Sequence, residues 1–379
     1  MTLLGSQRPL FAIPDDLAYF NTANMSPLLH SVRDAGERGL QRRANPWTIS
    51  PRDWFDDAER LRAGFATLIG SSTDGIALVP ATSYGLATAA RNLSAARGDR
   101  VIVLADEFPS NFYTWQRFTR RTGAQLVVIN REHGQTWTDA VLPAIDERTR
   151  IVAVPNVHWT NGALLDLDAV ATRTHEAGAV LCIDASQSLG VMPLDIARLL
   201  PDFVVAVGYK WMLGPFSVGP MYVAERHRAG EPLEESWINR AGSDDFAAVA
   251  DYTDEYLPGA RRFDVGQRGN FGLLPMAIAA VEQLLDWGVA NVAGALREVT
   301  DAISARVASL GLNVGAPHEH GPHMLGVELP RDAARRVDAN LRERGVIASV
   351  RGTSLRIAPH LHVVPSDVDR LVEGLAAGL

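Results

Sequence analysis

The sequence predicts an α/β protein: a large domain on a mainly parallel central sheet, followed by a smaller α+β domain. Three observations lead to this. From about Gly75 to Val223, short apolar runs alternate with amphipathic ones, the order of repeated strand–helix units. From about Arg228 to Arg268 that regularity lapses into a polar, aromatic and glycine-containing stretch. Beyond it, two long helix-like segments lead into short strand–helix units.

The elements follow in order. "GIALV" leads into the helix-like "TSYGLATAARNLSAA", and "RVIVLADEF" into "SNFYTWQRFTRRTG". "AQLVVIN" precedes "WTDAVLPAID", and "RIVAVPNVHW" precedes "DLDAVATRTHEAG". "AVLCIDASQ", "DFVVAVGYK" and "GPMYVAE" then supply three more strands. The stretch 228–268 reads as long loops, and loops of that length are more often functional than idle. "LLPMAIAAVEQLLDWG" and "ANVAGALREVTDAISARVASLG" read as helices, and "HMLGVEL", "RDAARRVDANLRERG", "VIASVRGTSLRIAP" and "PSDVDRLVEGLAAGL" as the smaller domain. The division expected is an N-terminal arm (1–20), a large domain (21–284) and a small C-terminal domain (285–379).

Composition excludes several classes. A formal net charge of −8 argues against nucleic acid as a partner. No apolar run reaches the length of a membrane span, and "MTLLGSQRPLFAIPDDLAYF" has no basic region ahead of a long apolar core, so no secretory signal is expected. The single cysteine, Cys182, rules out an internal disulfide and a cysteine-based zinc site. A cytoplasmic protein is the simplest reading. The histidines of "APHEHGPHM" at 316–324 could suggest metal, but a Gly/Pro-rich stretch at that spacing fits a surface loop better, and no metal is expected.

The chain holds 35 arginines and one lysine, Lys210, which sits in the apolar, glycine-rich "DFVVAVGYKWMLGPFSVGPMYV". Arginine could reach solvent from such a position as well as lysine, but only lysine can become a neutral amine and condense with an aldehyde. Ligands of open parallel sheets collect at the carboxyl ends of strands. Glu107, Asn156, Asp184 and Lys210 each follow one such strand. A carboxylate there can keep a pyridine nitrogen protonated, as pyridoxal phosphate requires to act as an electron sink. Asp184 alone would be read as a helix cap; its pairing with Lys210 favours the cofactor. Ala81, Thr82 and Ser83, between a strand and a helix start, offer N–H groups and hydroxyls for its phosphate. No G-x-G-x-x-G opens this unit, so a dinucleotide site is not expected.

Together these residues resemble the class V aminotransferases among the fold-type-I pyridoxal phosphate enzymes, which include cysteine desulfurases, isopenicillin N epimerase and kynureninase. The resemblance runs from "YFNTANMSP" to "SLRIAPH". "IDASQSLG" is similar to the family's D-A-x-Q-x-x-G segment, which implies Asp184 on the pyridine nitrogen and Gln187 on the ring's phenolic oxygen. "GYKWMLGP" is similar to the Schiff-base segment of Lys210, and "EFPSNFYTW" to a segment matching Glu107, Asn111 and Trp115. "SLRIAPH" implies that Arg356 grips the substrate carboxylate. The family also implies a homodimer sharing its sites across a two-fold axis, and pyridoxal 5′-phosphate as cofactor.

This chain departs from the family pattern in three places. Tyr209 stands where many members have histidine, Val207 where a phosphate-binding serine is common, and Asn156 where desulfurases place a histidine that stacks on the cofactor ring. Cysteine desulfurases also need a mobile-loop thiol, and Cys182 lies inside a strand. The sequence therefore favours β-elimination of a sulfur-substituted cysteine (a C–S lyase), with transamination close behind and epimerisation less favoured. Trp47, Trp237 and Arg240 are candidates for the substrate entrance. A class I aldolase would not need the phosphate cradle, Asp184 or Arg356. A non-catalytic regulator would need a DNA-binding extension, for which the chain has no spare length.

Overall fold

The computed structural model describes residues 4–132 and 134–379. β1 (Ala18–Tyr19), α1 (His30–Ala44) and α2 (Asp56–Ile69) precede the central sheet. Its strands are β2 (Ile76–Val79), β3 (Arg100–Leu104), β4 (Gln125–Ile129), β5 (Thr149–Pro155), β6 (Val180–Asp184), β7 (Phe203–Val205) and β8 (Gly219–Val223). Between them run α3 (Thr82–Arg91), α4 (Pro109–Thr122), α5 (Trp137–Val141), α6 (Leu167–Glu176) and α7 (Ile196–Leu199). Then come α8 (Leu273–Trp287), α9 (Val289–Ala308), β9 (Leu325–Glu328), α10 (Ala334–Glu343), β10 (Val346–Ile347), β11 (Ser349–Arg351), β12 (Ser354–Ile357) and α11 (Pro365–Gly378).

The seven strands lie in the order β2-β8-β7-β6-β5-β3-β4. β8 is antiparallel to both neighbours and every other pairing is parallel. Both faces are covered, which explains why the strands read as near-continuous apolar runs. Alternate residues serve opposite faces. Ile102, Leu104, Val152, Val154, Leu181 and Ile183 pack with Leu61 and Phe65 of α2 and Leu284 of α8. Val101, Val103, Ile151, Ala153 and Cys182 pack with Leu86 of α3 and with Trp115 and Phe118 of α4. After β4 the chain crosses back over β3 to lay down β5, so the β3/β5 boundary is a switch point whose carboxyl edge opens a crevice.

The smaller unit is an antiparallel sheet, β11-β12-β9, backed by α10 and α11. Its core corrects the expected division in two ways. The N-terminal arm is not separate: β1 pairs in parallel with β10, and Ala18 and Phe20 are fully buried in the small-domain core. The cores also divide within α9, not at 285. Val292, Ala295 and Leu296 join the large core, and Ile303 and Val307 the small one. A helix of 20 residues spans about 30 Å, long enough to serve both. No single helix among the described residues is long and apolar enough to cross a membrane.

The stretch 228–268 holds short turns rather than long helices or strands, and it is anchored by charge. Asp264 is fully buried against Arg62 (2.6 Å) and Arg268 (3.2 Å) and accepts a hydrogen bond from the Leu78 N–H at 2.7 Å. A buried carboxylate with two guanidiniums and a backbone donor has the extra partners that such a charge requires. This network ties the loop to the edge strand β2.

Candidate active site

A cleft of about 270 Å³ opens at the carboxyl edge of the sheet. Ala81, Thr82, Ser83, Glu107, Phe108, Asp184, Gln187, Tyr209 and Lys210 all line it. They come from the ends of β2, β3, β6 and β7, separated by more than 100 residues of chain and brought together by the strand order.

Each element positions its residue through local bonds. The β6 end turns sharply: Ser186 N–H donates to Asp184 Oδ1 at 2.9 Å, and Ala185 N–H donates to the Val205 carbonyl. Asp184 is thereby held at the cleft. Trp211 Nε1 donates to Gln187 Oε1 at 2.9 Å and Gln187 Nε2 donates to the Ala23 carbonyl at 3.2 Å. That pair fixes the orientation of the amide. α3 starts at Thr82, after Ala81 in extended conformation. The N–H groups of the first helical turn have no intrahelical acceptors, and the positive end of the helix points to the cleft. Thr82 Oγ1 and Ser186 Oγ lie 2.9 Å apart, joining the cradle to the Asp184 turn.

The electrostatics follow from burial. Desolvation brings the Lys210 amine down to about 8, against the pull of Asp184 and with Arg356 and Arg351 adding to the shift. The amine sits 5.3 Å from the Phe108 ring centre and 5.8 Å from that of Tyr209. Burial and the charge of Asp184 push Glu107 up to about 8, and its Oε2 has no hydrogen-bond partner. Burial also raises Asp184 above the usual carboxylate range, opposed by Ser186 and Lys210. A cation placed beside such a carboxylate favours its charged form.

Pyridoxal phosphate fits these residues. Asp184 would face its pyridinium N–H, the N–H groups at Ala81, Thr82 and Ser83 would receive its phosphate, and Lys210, whose burial lowers its basicity, would condense with its aldehyde.

Other expected residues fall elsewhere. Asn156 does not face the cleft. Pro155 and Val157 line it, whereas Asn156, at the bend just past β5, is not among the lining residues and is buried with its Oδ1 unpartnered. Phe108 and Trp159, in edge-to-face contact at 5.5 Å, and Tyr209, stacked on Phe216 at 3.9 Å, form the cleft walls instead. Phe108 directly follows Glu107 at the end of β3, a position that could have revealed it; Trp159 and Phe216 carry no local signal. Arg356 stands behind Trp159, donating to its carbonyl at 2.7 Å. Trp47 is 80% exposed and Arg240 is held by Glu235 over the Tyr256 ring; neither is among the residues lining the cleft. Trp237 packs against Trp54 and Phe246. Tyr209 lines the cleft, and Val207 lies on the same loop between β7 and Lys210.

The expected surface histidine loop is in fact buried at two positions. His320 and His323 are shielded, and His323 Nε2 meets the Gln187 carbonyl at 2.6 Å beneath Trp211. No group of three or more potential ligands among the described residues is arranged to hold a metal ion. Cys182 is 1% exposed within β6, and burial raises its thiol well above the ordinary value.

Comparison with known proteins agrees with this geometry. The model of the aminotransferase class-V family matches residues 51–362. A kynureninase of Deinococcus radiodurans is 29% identical, covering 99% of this chain and 93% of its own. The uncharacterized aminotransferase YcbU of Bacillus subtilis is 27% identical, covering 94% and 92%. Among solved structures, a C-DES mutant with glycine covalently linked to its PLP cofactor aligns over 98% of this chain and 99% of its own, at TM-score 0.85 and 18% identity. The apo cysteine desulfurase of Thermococcus onnurineus NA1 aligns over 99% and 98%, at TM-score 0.81 and 18% identity. A lone lysine at a strand end, facing an aspartate and a phosphate cradle, is thus set in a chain that belongs to the class-V aminotransferase family and is a pyridoxal-phosphate-dependent enzyme.

Proposed function

We propose that this enzyme takes a β-substituted α-amino acid, removes its Cα proton and expels the β-substituent, with a sulfur-substituted cysteine as the leading substrate type. One observation carries the choice: the only thiol, Cys182, is buried inside β6 and cannot accept sulfur from a substrate in the cleft. Release of the sulfur substituent as a free thiol needs no such acceptor.

When bound, the cofactor supplies an electron sink for the carbanion at Cα. Asp184 would hold the proton on the ring nitrogen, and Gln187 would offer an amide N–H toward the phenolic oxygen. The first turn of α3 would hold the phosphate. The Lys210 amine, once free, is the base placed to take the Cα proton, and its desolvation keeps it near the operating pH. Phe108 would wall the ring from one side, and Trp159 closes the cleft toward the small domain. Arg356 takes the α-carboxylate in a bidentate pair.

The aromatic walls and the kynureninase relatives support a second reading, an aromatic α-amino acid of the kynurenine type. Amino transfer, suggested by YcbU, is the third outcome. The test is incubation of holoenzyme with S-substituted cysteines, kynurenine and plain α-amino acids. Pyruvate, ammonia and thiol in equal amounts support the elimination. Alanine with an aromatic acid supports the second reading, and a 2-oxo acid with an aminated cofactor supports transfer.

The working unit is inferred to be a homodimer. Leu40, Trp47 and Tyr252 are strongly exposed, and the stretch 228–268 borders the cleft side of β2. A second copy of the chain would cover these residues and complete the substrate entrance.

A further inference from the structure

The β11–β12 hairpin presents two arginines on one face. In its antiparallel register Ser349 stands opposite Arg356 and Arg351 opposite Ser354. Directly opposed residues share a face, and so do residues two apart. Arg351 Nε donates to Ser349 Oγ at 3.1 Å across that face. The face meets Trp159, which lines the cleft. Arg356 Nη1 donates to the Trp159 carbonyl at 2.7 Å, and the Arg351 guanidinium lies over the indole, 4.5 Å from the ring centre.

Neither arginine forms an ion pair among the described residues, although many arginines of this chain do. Arg356 is 1% exposed and its Nε has no partner. A buried guanidinium without an anion is costly, and the two cations also repel each other and Lys210. The α-carboxylate of an amino acid satisfies Arg356. With a neutral side chain, that leaves Arg351 facing the cleft wall without an anion.

We propose that the substrate carries a second carboxylate at the end of its side chain, bound by Arg351, so that the substrate class is acidic: a β-substituted alanine whose substituent ends in a carboxylate. The inference rests on the reading of the cleft as an amino-acid site with Arg356 on the α-carboxylate. Arg351 is half-buried over the Trp159 ring that lines the cleft, and a guanidinium packed on an aromatic face keeps its N–H groups available for bidentate carboxylate binding.

The experiment compares acids with their amide isosteres: S-carboxymethylcysteine with S-carbamoylmethylcysteine, glutamate with glutamine, aspartate with asparagine. Binding is read from the change in the visible spectrum of holoenzyme, so the result does not depend on which products form. At least one acid is expected to bind about tenfold or more tightly than its amide. Arg351→Gln should bring that ratio toward one, and Arg351→Lys should restore part of it. Arg356→Gln should weaken acid and amide alike. Equal binding of acid and amide by the unaltered enzyme would overturn the proposal. So would an Arg351→Gln variant with a lower melting temperature but an unchanged ratio, since Arg351 would then only support Trp159. Failure of every amino acid to perturb the spectrum would strike the underlying amino-acid reading, whereas product analysis alone decides elimination against transfer.

Discussion

Asp184 and Lys210 work on opposite ends of one chemical problem, and burial sets both. Burial raises the Asp184 carboxyl and a neighbouring cation favours its charged form, whereas its amide analogue cannot hold the ring-nitrogen proton. Asp184→Asn is therefore expected to keep the fold and the bound cofactor but to lose about two orders of magnitude or more in turnover. Circular dichroism and steady-state rates check this, and near-normal turnover would reduce Asp184 to a turn-former. Lys210 leads to a pH prediction. Its folded value, about 8, lies below that of a free lysine, so the protonated form dominates below pH 8. Only the neutral amine condenses with an aldehyde. The rate of cofactor uptake by apoprotein should rise about tenfold per pH unit up to roughly pH 8 and flatten above it. Stopped-flow absorbance follows this, and a rate still climbing steeply to pH 10 would mean that the amine is not desolvated. These two residues were legible in the sequence because their types are unusual where they stand. Asn156 is not among the cleft-lining residues, and spacing from Gly162 does not say which side of the strand end a residue faces.

At the scale of elements, the site depends on how closely two turns pass. Gly190 ends the turn after β6 with φ of 102°, and a Cβ there would lie 2.6 Å from the Trp211 carbonyl and 3.2 Å from Leu284 Cδ1. Gly190→Ala thus combines a left-handed conformation with overpacking against backbone, and should cost about 1–3 kcal/mol. It should also loosen the cofactor, because Trp211 carries the hydrogen bond that orients Gln187. Thermal unfolding of the apoprotein and the dissociation constant for pyridoxal phosphate both report on it. An unchanged melting temperature would count against the tight turn. The strand–helix order was readable from periodicity, since a sheet covered on both faces leaves apolar runs with regular gaps. The pairing of β1 with β10 was not, because two-residue strands carry no period.

At the scale of the whole molecule, α9 joins the two cores, so the small domain moves its hairpin relative to the cleft only with strain on one helix. That makes Arg351 and Arg356 features of a docked small domain rather than of a free one. The proposed dimer belongs to this scale. Holoenzyme should sediment at about twice the 41.1 kDa chain mass, and dilution that dissociates it should lower activity in parallel. A monomer of full activity would end the proposal of a shared entrance.

The sequence by itself determined the strand–helix order and the strand-end positions of Lys210, Asp184 and the Ala81–Ser83 turn that meet at the cleft. Those features depend on residue type and local period, which any linear reading contains. Only the tertiary structure decided which aromatic rings wall the cleft, where the two cores divide, and that Arg351 shares a face with Arg356. Phe108, Trp159 and the Tyr209–Phe216 pair come from three loops, after β3, β5 and β7, and the meeting of those loops is set by strand order and crossover. The face an arginine presents is set by hairpin register, in which a shift of one residue would turn every side chain to the other side.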